Sequence, residues 1–154
     1  MSIAEILARK ALMVPIDGMT PEQVTDTYGA RRAGGPHRAL DLLAPRGTPV
    51  LSADAGRVLS LRTNRNGGTT VYAIDTDRRF IYYYAHLSGY RRGLEAGMPL
   101  QAGDVIGYVG TTGNAPPDLP HLHFQVMHYR PDKYWDGEPV NPFPFLMRSG
   151  KRRE

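Results

Sequence analysis

The sequence predicts an all-β fold on three observations. The 17 Gly and 13 Pro, about a fifth of the 154 residues, are scattered along the chain in the manner of short strands joined by tight turns. Between them lie runs rich in Val, Ile, Tyr and Phe, the residues that suit a pleated, half-buried surface. A chain that is 41% hydrophobic and 22% charged has the size and composition of one domain around one core. Nowhere does an uncharged apolar stretch approach the roughly 18 residues a membrane-spanning helix needs.

From the start, Ile3, Ile6, Leu7 and Ala11 recur at helical spacing with Glu5, Arg9 and Lys10 elsewhere, so residues 3–12 read as a short amphipathic helix. Those charges interrupt what would be the apolar segment of a signal peptide, and the segment does not read as an export signal. Residues 15–36 are turn-rich, with Thr20, Pro21 and Glu22 as a helix start and residues 31–36 as a loop leading to His37. Strand-like runs follow at residues 39–44, 49–61, 69–75, 79–87, 104–110 and 121–127. Turn signals at 45–49, 64–68 and 75–79 and the glycines at 89, 93, 97 and 103 separate nearly all of them.

The sequence lacks cysteine, which removes disulfides, thiolate metal sites and a thiol nucleophile and leaves His, Asp and Glu as metal ligands. The net charge of +4 comes mostly from arginine and favours polyanionic partners in general. The arginine pairs at 31/32, 78/79, 91/92 and 152/153 are dispersed and no nucleic-acid motif accompanies them, so a solvated surface and no nucleic-acid partner are expected.

The chemistry concentrates on histidine. In a strand, side chains at i and i+2 share a face about 6.6 Å apart, so His121 and His123 can address one centre, with Gln125 beside them and Leu122, Phe124 and Val126 turned to the core. His128 lies at the end of this run next to Tyr129 and Arg130, where a structural or solvated histidine is expected. The same alternation groups His86 with Phe80, Tyr82 and Tyr84. His37 and Asp41 form an HxxxD pair of suitable zinc ligands. On a regular strand they would stand about 13 Å apart, so His37 must sit in a loop with the chain bent before Asp41.

Taken together and in order, residues 35–50 with their HxxxD, SerAlaAspAlaGlyArgVal (52–58), TyrAlaHisLeu (84–87), AlaGlyAspValIleGlyTyrValGly (102–110) and HisLeuHisPhe (121–124) closely resemble the M23 zinc peptidases, the LytM and lysostaphin-like peptidoglycan endopeptidases. The resemblance covers about residues 35–127. It implies an antiparallel barrel-sandwich with an open zinc groove, made of a helix and lead-in loop (1–34), a catalytic domain (35–141) and a surface tail (142–154). It also implies one zinc held by His37, Asp41 and His123, with a fourth position left open as in catalytic sites. His86 and His121 are implied to assist without binding metal: His121 as general base and His86 as oxyanion support, roles that the two could exchange.

The implied reaction is zinc-assisted hydrolysis of peptidoglycan peptide cross-links outside the cytoplasmic membrane. D-Ala to diaminopimelate is favoured over glycine bridges, because nearby arginines and a groove walled by residues 114–120 with Phe80, Tyr82 and Tyr84 would suit a stem peptide bearing free carboxylates. Any membrane anchor lies outside these residues. Two features depart from the pattern: Ala39 replaces a glycine, and the 114–120 loop is long. Relatives that have lost ligands act as activators of other wall hydrolases, but all five positions are intact here, so an active enzyme is expected. A lipoyl- or biotinyl-like carrier would need a lysine at a hairpin tip. Lys10, Lys133 and Lys151 all flank the strand region, which disfavours that reading.

Overall fold

The structure, a computed structural model, describes residues 1–32 and 35–153. Helix α1 (Ile3–Lys10) is capped by Ser2, whose Oγ accepts from Glu5 N–H at 3.1 Å. It ends earlier than the periodicity predicts, because Ala11 takes a left-handed conformation (φ 49°) and Leu12–Met13 leave the helix as strand β1. In the predicted lead-in loop, β2 (Arg31–Arg32) and β3 (Gly35–Pro36) pair antiparallel.

Among the described residues nine strands form the main sheet: β4 (Leu40–Leu43), β5 (Pro49–Leu51), β6 (Gly56–Asn64), β7 (Gly68–Asp75), β8 (Phe80–Tyr90), β9 (Pro99–Leu100), β10 (Val105–Val109), β11 (His121–His128) and β12 (Glu138–Val140). Its central path runs β12-β11-β8-β7-β6-β9, with β4 joined to β11 and β10 bridging β8 to β5. Every pairing within it is antiparallel. The all-β, antiparallel expectation holds, but the path has two ends, at β12 and β9, so the sheet is open and not a closed barrel. Strand β13 (Leu146–Arg148) runs parallel to β1 in a separate two-stranded pair.

The run predicted at 49–61 divides into β5 and β6, which join different neighbours. Asp54 makes the break, since its Oδ1 accepts from Ala55 N–H at 2.8 Å and its carbonyl accepts from Ser52 Oγ at 2.8 Å. Short polar side chains that bond the adjacent backbone in this way compete with strand pairing.

Leu40, Leu42, Val71, Ala73, Phe80, Tyr82, Tyr84, Leu122, Phe124 and Val126 turn to one buried face and, with Leu7 of α1, form the main core. Two tyrosines carry hydroxyls into this core, and both are satisfied: Tyr82 donates to Asp54 Oδ2 at 2.7 Å, and Tyr84 accepts from Ala53 N–H at 3.0 Å. Lys10 anchors α1 to the sheet through Nζ, 3.1 Å from Asp54 Oδ2 and 2.7 Å from Asp75 Oδ2.

Alternation in β8 breaks where it pairs with β7. Val71 of β7 pairs with Tyr84 and Thr69 with Leu87, so two steps on β7 face three on β8, which is a β-bulge. The extra residue lies at Ala85–His86, and His86 takes φ 64°. Leu87 therefore enters the main core beside Tyr84, and the sequence-based grouping of His86 with Phe80, Tyr82 and Tyr84 is corrected. Those three aromatics face the core, whereas His86 turns to the same side as Tyr83 and Ala85.

Candidate metal centre and active site

Asp41 and His123 face each other as a directly paired couple across β4 and β11, where opposing Cβ atoms stand about 5 Å apart. His37 comes to them from the loop. Arg38 supplies the bend with φ 56°, while His37 N–H donates to Ala30 O and Arg38 N–H to Tyr28 O at 2.8 and 2.9 Å. Thr27 closes the turn from below, its Oγ1 accepting from Asp41 N–H at 2.8 Å. The result brings His37 Nε2 within 3.1 Å of Asp41 Oδ1, despite the four-residue spacing.

His123 Nδ1 lies 3.8 Å from the same oxygen and 3.4 Å from His37 Nε2, and all three ligand atoms fall within 4.8 Å of one another. His37 Nδ1 lies 3.0 Å from the Thr27 carbonyl, which can only accept, so that nitrogen carries the hydrogen and Nε2 offers a lone pair. Burial, then the neighbouring His37, pushes His123 down to about 4 against the opposing pull of Asp41. It is therefore a neutral imidazole near neutral pH, the form a metal binds. Two imidazole lone pairs and a carboxylate converging on one point are a donor set suited to zinc.

The two remaining histidines flank this trio. His121 shares the His123 face as the spacing predicts, its Nε2 3.7 Å from Asp41 Oδ1 and its Nδ1 3.0 Å from the Leu119 carbonyl. His86 Nδ1 lies 2.7 Å from the Thr112 carbonyl, and its ring is centred 5.0 Å from that of His121. Both rings thus hold their hydrogen on Nδ1. Burial lowers the His86 pKa, the Thr112 bond opposes this, and His121 lowers it further. His128 stands apart, exposed at the end of β11.

These groups open onto a groove of about 690 Å³, within the usual range for ligand sites. Asn66 and Gly67 of the β6–β7 turn form one rim, and Asn114, Ala115, Pro116 and Leu119 the other. The long 114–120 loop is therefore a wall of the groove, as expected. The expected aromatic face is not: Phe80, Tyr82 and Tyr84 are buried to 0–1% exposure, and Tyr83, edge-on to His123 at 5.8 Å, takes their place. None of the described lining residues is arginine.

The two rims touch. Gly68 (φ 67°) and Gly113 (φ 73°) approach so closely that a Cβ on either would fall within 3 Å of the other's backbone nitrogen, and Asn114 N–H donates to Asn66 O at 2.9 Å. The turn signal at 64–68 is local and carries no trace of the meeting with residues 112–114.

The sequence matches Peptidase family M23 over residues 35–142. The chain belongs to this family. As an M23 domain it is 33% identical, over 96% of its length and 46% of the relative's, to the L-Ala–D-Glu endopeptidase of Bacillus subtilis (strain 168). It is 34% identical, over 69% of its length and 22% of the relative's, to the DD-carboxypeptidase/endopeptidase Mpg of Neisseria meningitidis serogroup B (strain MC58). The crystallised catalytic domain of lysostaphin from Staphylococcus simulans superposes with a TM-score of 0.63 at 28% identity, covering 93% of this chain and 96% of that one. The chain spans less than half the length of these two curated relatives. Zinc is the cofactor of M23 peptidases, and the converging donors fit it.

Proposed function

We propose that this M23 domain is a zinc endopeptidase that hydrolyses peptide cross-links of bacterial peptidoglycan, with the D-Ala to diaminopimelate bond as its target. The observation that carries the reading is the convergence of His37, Asp41 and His123 on one point, flanked by His86 and His121 in the same groove. His37, Asp41 and His123 would hold the metal. Held there, zinc would supply the polarisation of a peptide carbonyl and a water whose pKa falls to about 7.

The chain's own residues then handle the proton. Burial keeps His86 neutral, and with Nδ1–H committed to Thr112 its Nε2 is an acceptor. That favours exchanging the roles first expected: His86 takes a proton at Nε2 and delivers it to the leaving amine. His121, whose Nε2 stands 3.7 Å from Asp41 Oδ1, takes the other role: once it carries a second ring proton it can donate from Nε2 to developing negative charge.

For the bond cut, no arginine among the described lining residues supports the choice. Support comes from Asn66 and Asn114, exposed residues that line the groove from opposite rims and carry amides able to donate to the free carboxylates of a diaminopimelate stem. Ala115, Pro116 and Leu119 offer an apolar wall to the D-Ala methyl, and the Neisseria relative is named a DD-carboxypeptidase/endopeptidase. A polyglycine bridge has neither feature. Such a substrate places the site of action outside the cytoplasmic membrane, in periplasm or wall.

The deciding experiment incubates the zinc-loaded protein with cross-linked diaminopimelate muropeptide dimers and, separately, with pentaglycine, followed by mass analysis. Conversion of dimers to intact tetrapeptide monomers supports the reading. Cleavage of pentaglycine alone, or products cut between L-Ala and D-Glu, overturns the bond assignment.

A further inference from the structure

Thr112 contributes no atom to the groove lining, yet four hydrogen bonds around the active site meet in or beside it. Its Oγ1 donates to the Leu87 carbonyl at 2.7 Å and accepts from Thr69 N–H at 3.1 Å. Its carbonyl accepts the His86 Nδ1 hydrogen at 2.7 Å. On the opposite side, His86 N–H donates to Gly67 O at 2.7 Å. The partners Thr69 and Leu87 are the pair at which the β7–β8 register resumes after the bulge.

From this geometry we infer that Thr112 is a positioning residue for His86: its hydroxyl pins the bulge, and its carbonyl holds the His86 hydrogen on Nδ1 so that Nε2 faces the groove as a lone pair. The inference rests on the proposal that His86 acts in catalysis. A bulge re-aims side chains, but an added residue leaves backbone groups unpaired and the local twist adjustable. His86 also sits at φ 64°, a conformation that a residue other than glycine keeps only where its surroundings over-determine it. The Thr112 hydroxyl supplies that constraint from the β10–β11 connection, since it occupies the Leu87 carbonyl and the Thr69 amide that flank the distortion. A side chain with one donor hydrogen and acceptor lone pairs on a single oxygen can serve both at once. Valine has the same shape and can serve neither.

The inference separates Thr112 from a merely structural threonine through the tautomer. Nitrogen NMR of the zinc-loaded parental protein should show His86 as the Nδ1–H form, with an exchange-protected hydrogen; the Nε2–H form would overturn the inference without any variant. In Thr112→Val the expected result is retained zinc, loss or averaging of the Nδ1–H signature, and kcat reduced about tenfold or more with KM within about threefold of the parent. Thr112→Ser keeps the hydroxyl and should restore both tautomer and kcat to within about threefold. A parental tautomer and kcat in Thr112→Val, or a serine variant as impaired as valine, would overturn it. The tautomer needs no turnover, so its outcome is independent of whether His86→Ala retains activity, which tests the catalytic reading itself.

Discussion

Asp41 Oδ1 and His37 Nε2 stand 3.1 Å apart although the backbone between them belongs first to a loop and then to a strand. Their approach depends on the bend at Arg38 and on Thr27, which accepts from Asp41 N–H and from the His37 ring. The metal site is thus held from the lead-in segment as well as from the sheet.

Asp41→Ala and His123→Ala are each expected to lower zinc content by tenfold or more after dialysis, and His37→Ala likewise. Removing one of three protein ligands costs most of the affinity of such a site. Metal analysis of purified variants checks this, with a thermal shift on adding zinc as a second readout, because a ligand bound only by the folded state stabilises it. Undiminished zinc in any one variant removes that residue from the ligand set.

His86→Ala and His121→Ala should keep zinc and lose turnover by about 10²-fold, the usual scale for removing a positioned acid or base. His128→Ala, at an exposed position, should match the parent in both respects. Metal loss in the first two would mean that they act as ligands.

Acid should destabilise the metal-free protein through His123. Its folded pKa is about 4 against an ordinary value near 6.5, so between those values the unfolded chain binds the extra proton. Stability must then rise with pH across that window and fall as pH drops from 6.5 towards 4. Chemical denaturation of the chelated protein at pH 7, 5.5 and 4.5 measures the slope, and His123→Gln should flatten it. An equally steep loss in that variant would assign the slope elsewhere.

Lys10→Met should cost about 3 kcal/mol, the scale for removing one partner of a buried ion pair. Its amine is the cation set against Asp54 and Asp75, and the Asp75 side chain is 0% exposed. Asp75 Oδ1 still accepts from Arg79 and Phe80 N–H, which keeps the loss below that of a bare buried charge. Urea midpoints report the change, while zinc content should stay the same.

Much of the site was legible because strand periodicity is local. His121 and His123 fall on one face of β11 and Leu122, Phe124 and Val126 on the other, as alternation requires. The bend after His37 also followed from length alone, since no straight strand could bring it to Asp41. What escaped was non-local. The face chosen by His86 depends on a bulge whose register is set by Thr69 and Val71 on another strand, so counting by twos placed it with the wrong aromatics. Nor did the run from Pro49 to Leu61 show that Asp54 would divide it, because a carboxylate that bonds its own backbone reads in sequence like any polar residue. The open edges at β9 and β12 are likewise set by which strands find partners, a property of the whole sheet.

The close approach of Gly68 and Gly113 carries a mechanical consequence. Two rims joined backbone to backbone cannot swing on separate hinges, so at that end the groove has a fixed gauge, like the closed end of a tuning fork. Room for a bulky stem must come from the other end of the connection, around Pro116 to Leu119. The Asn114 amide bonds across the junction to Asn66 O and the His86 amide ties the same turn to β8 through Gly67 O, so the two should exchange with solvent in step, as one breathing unit.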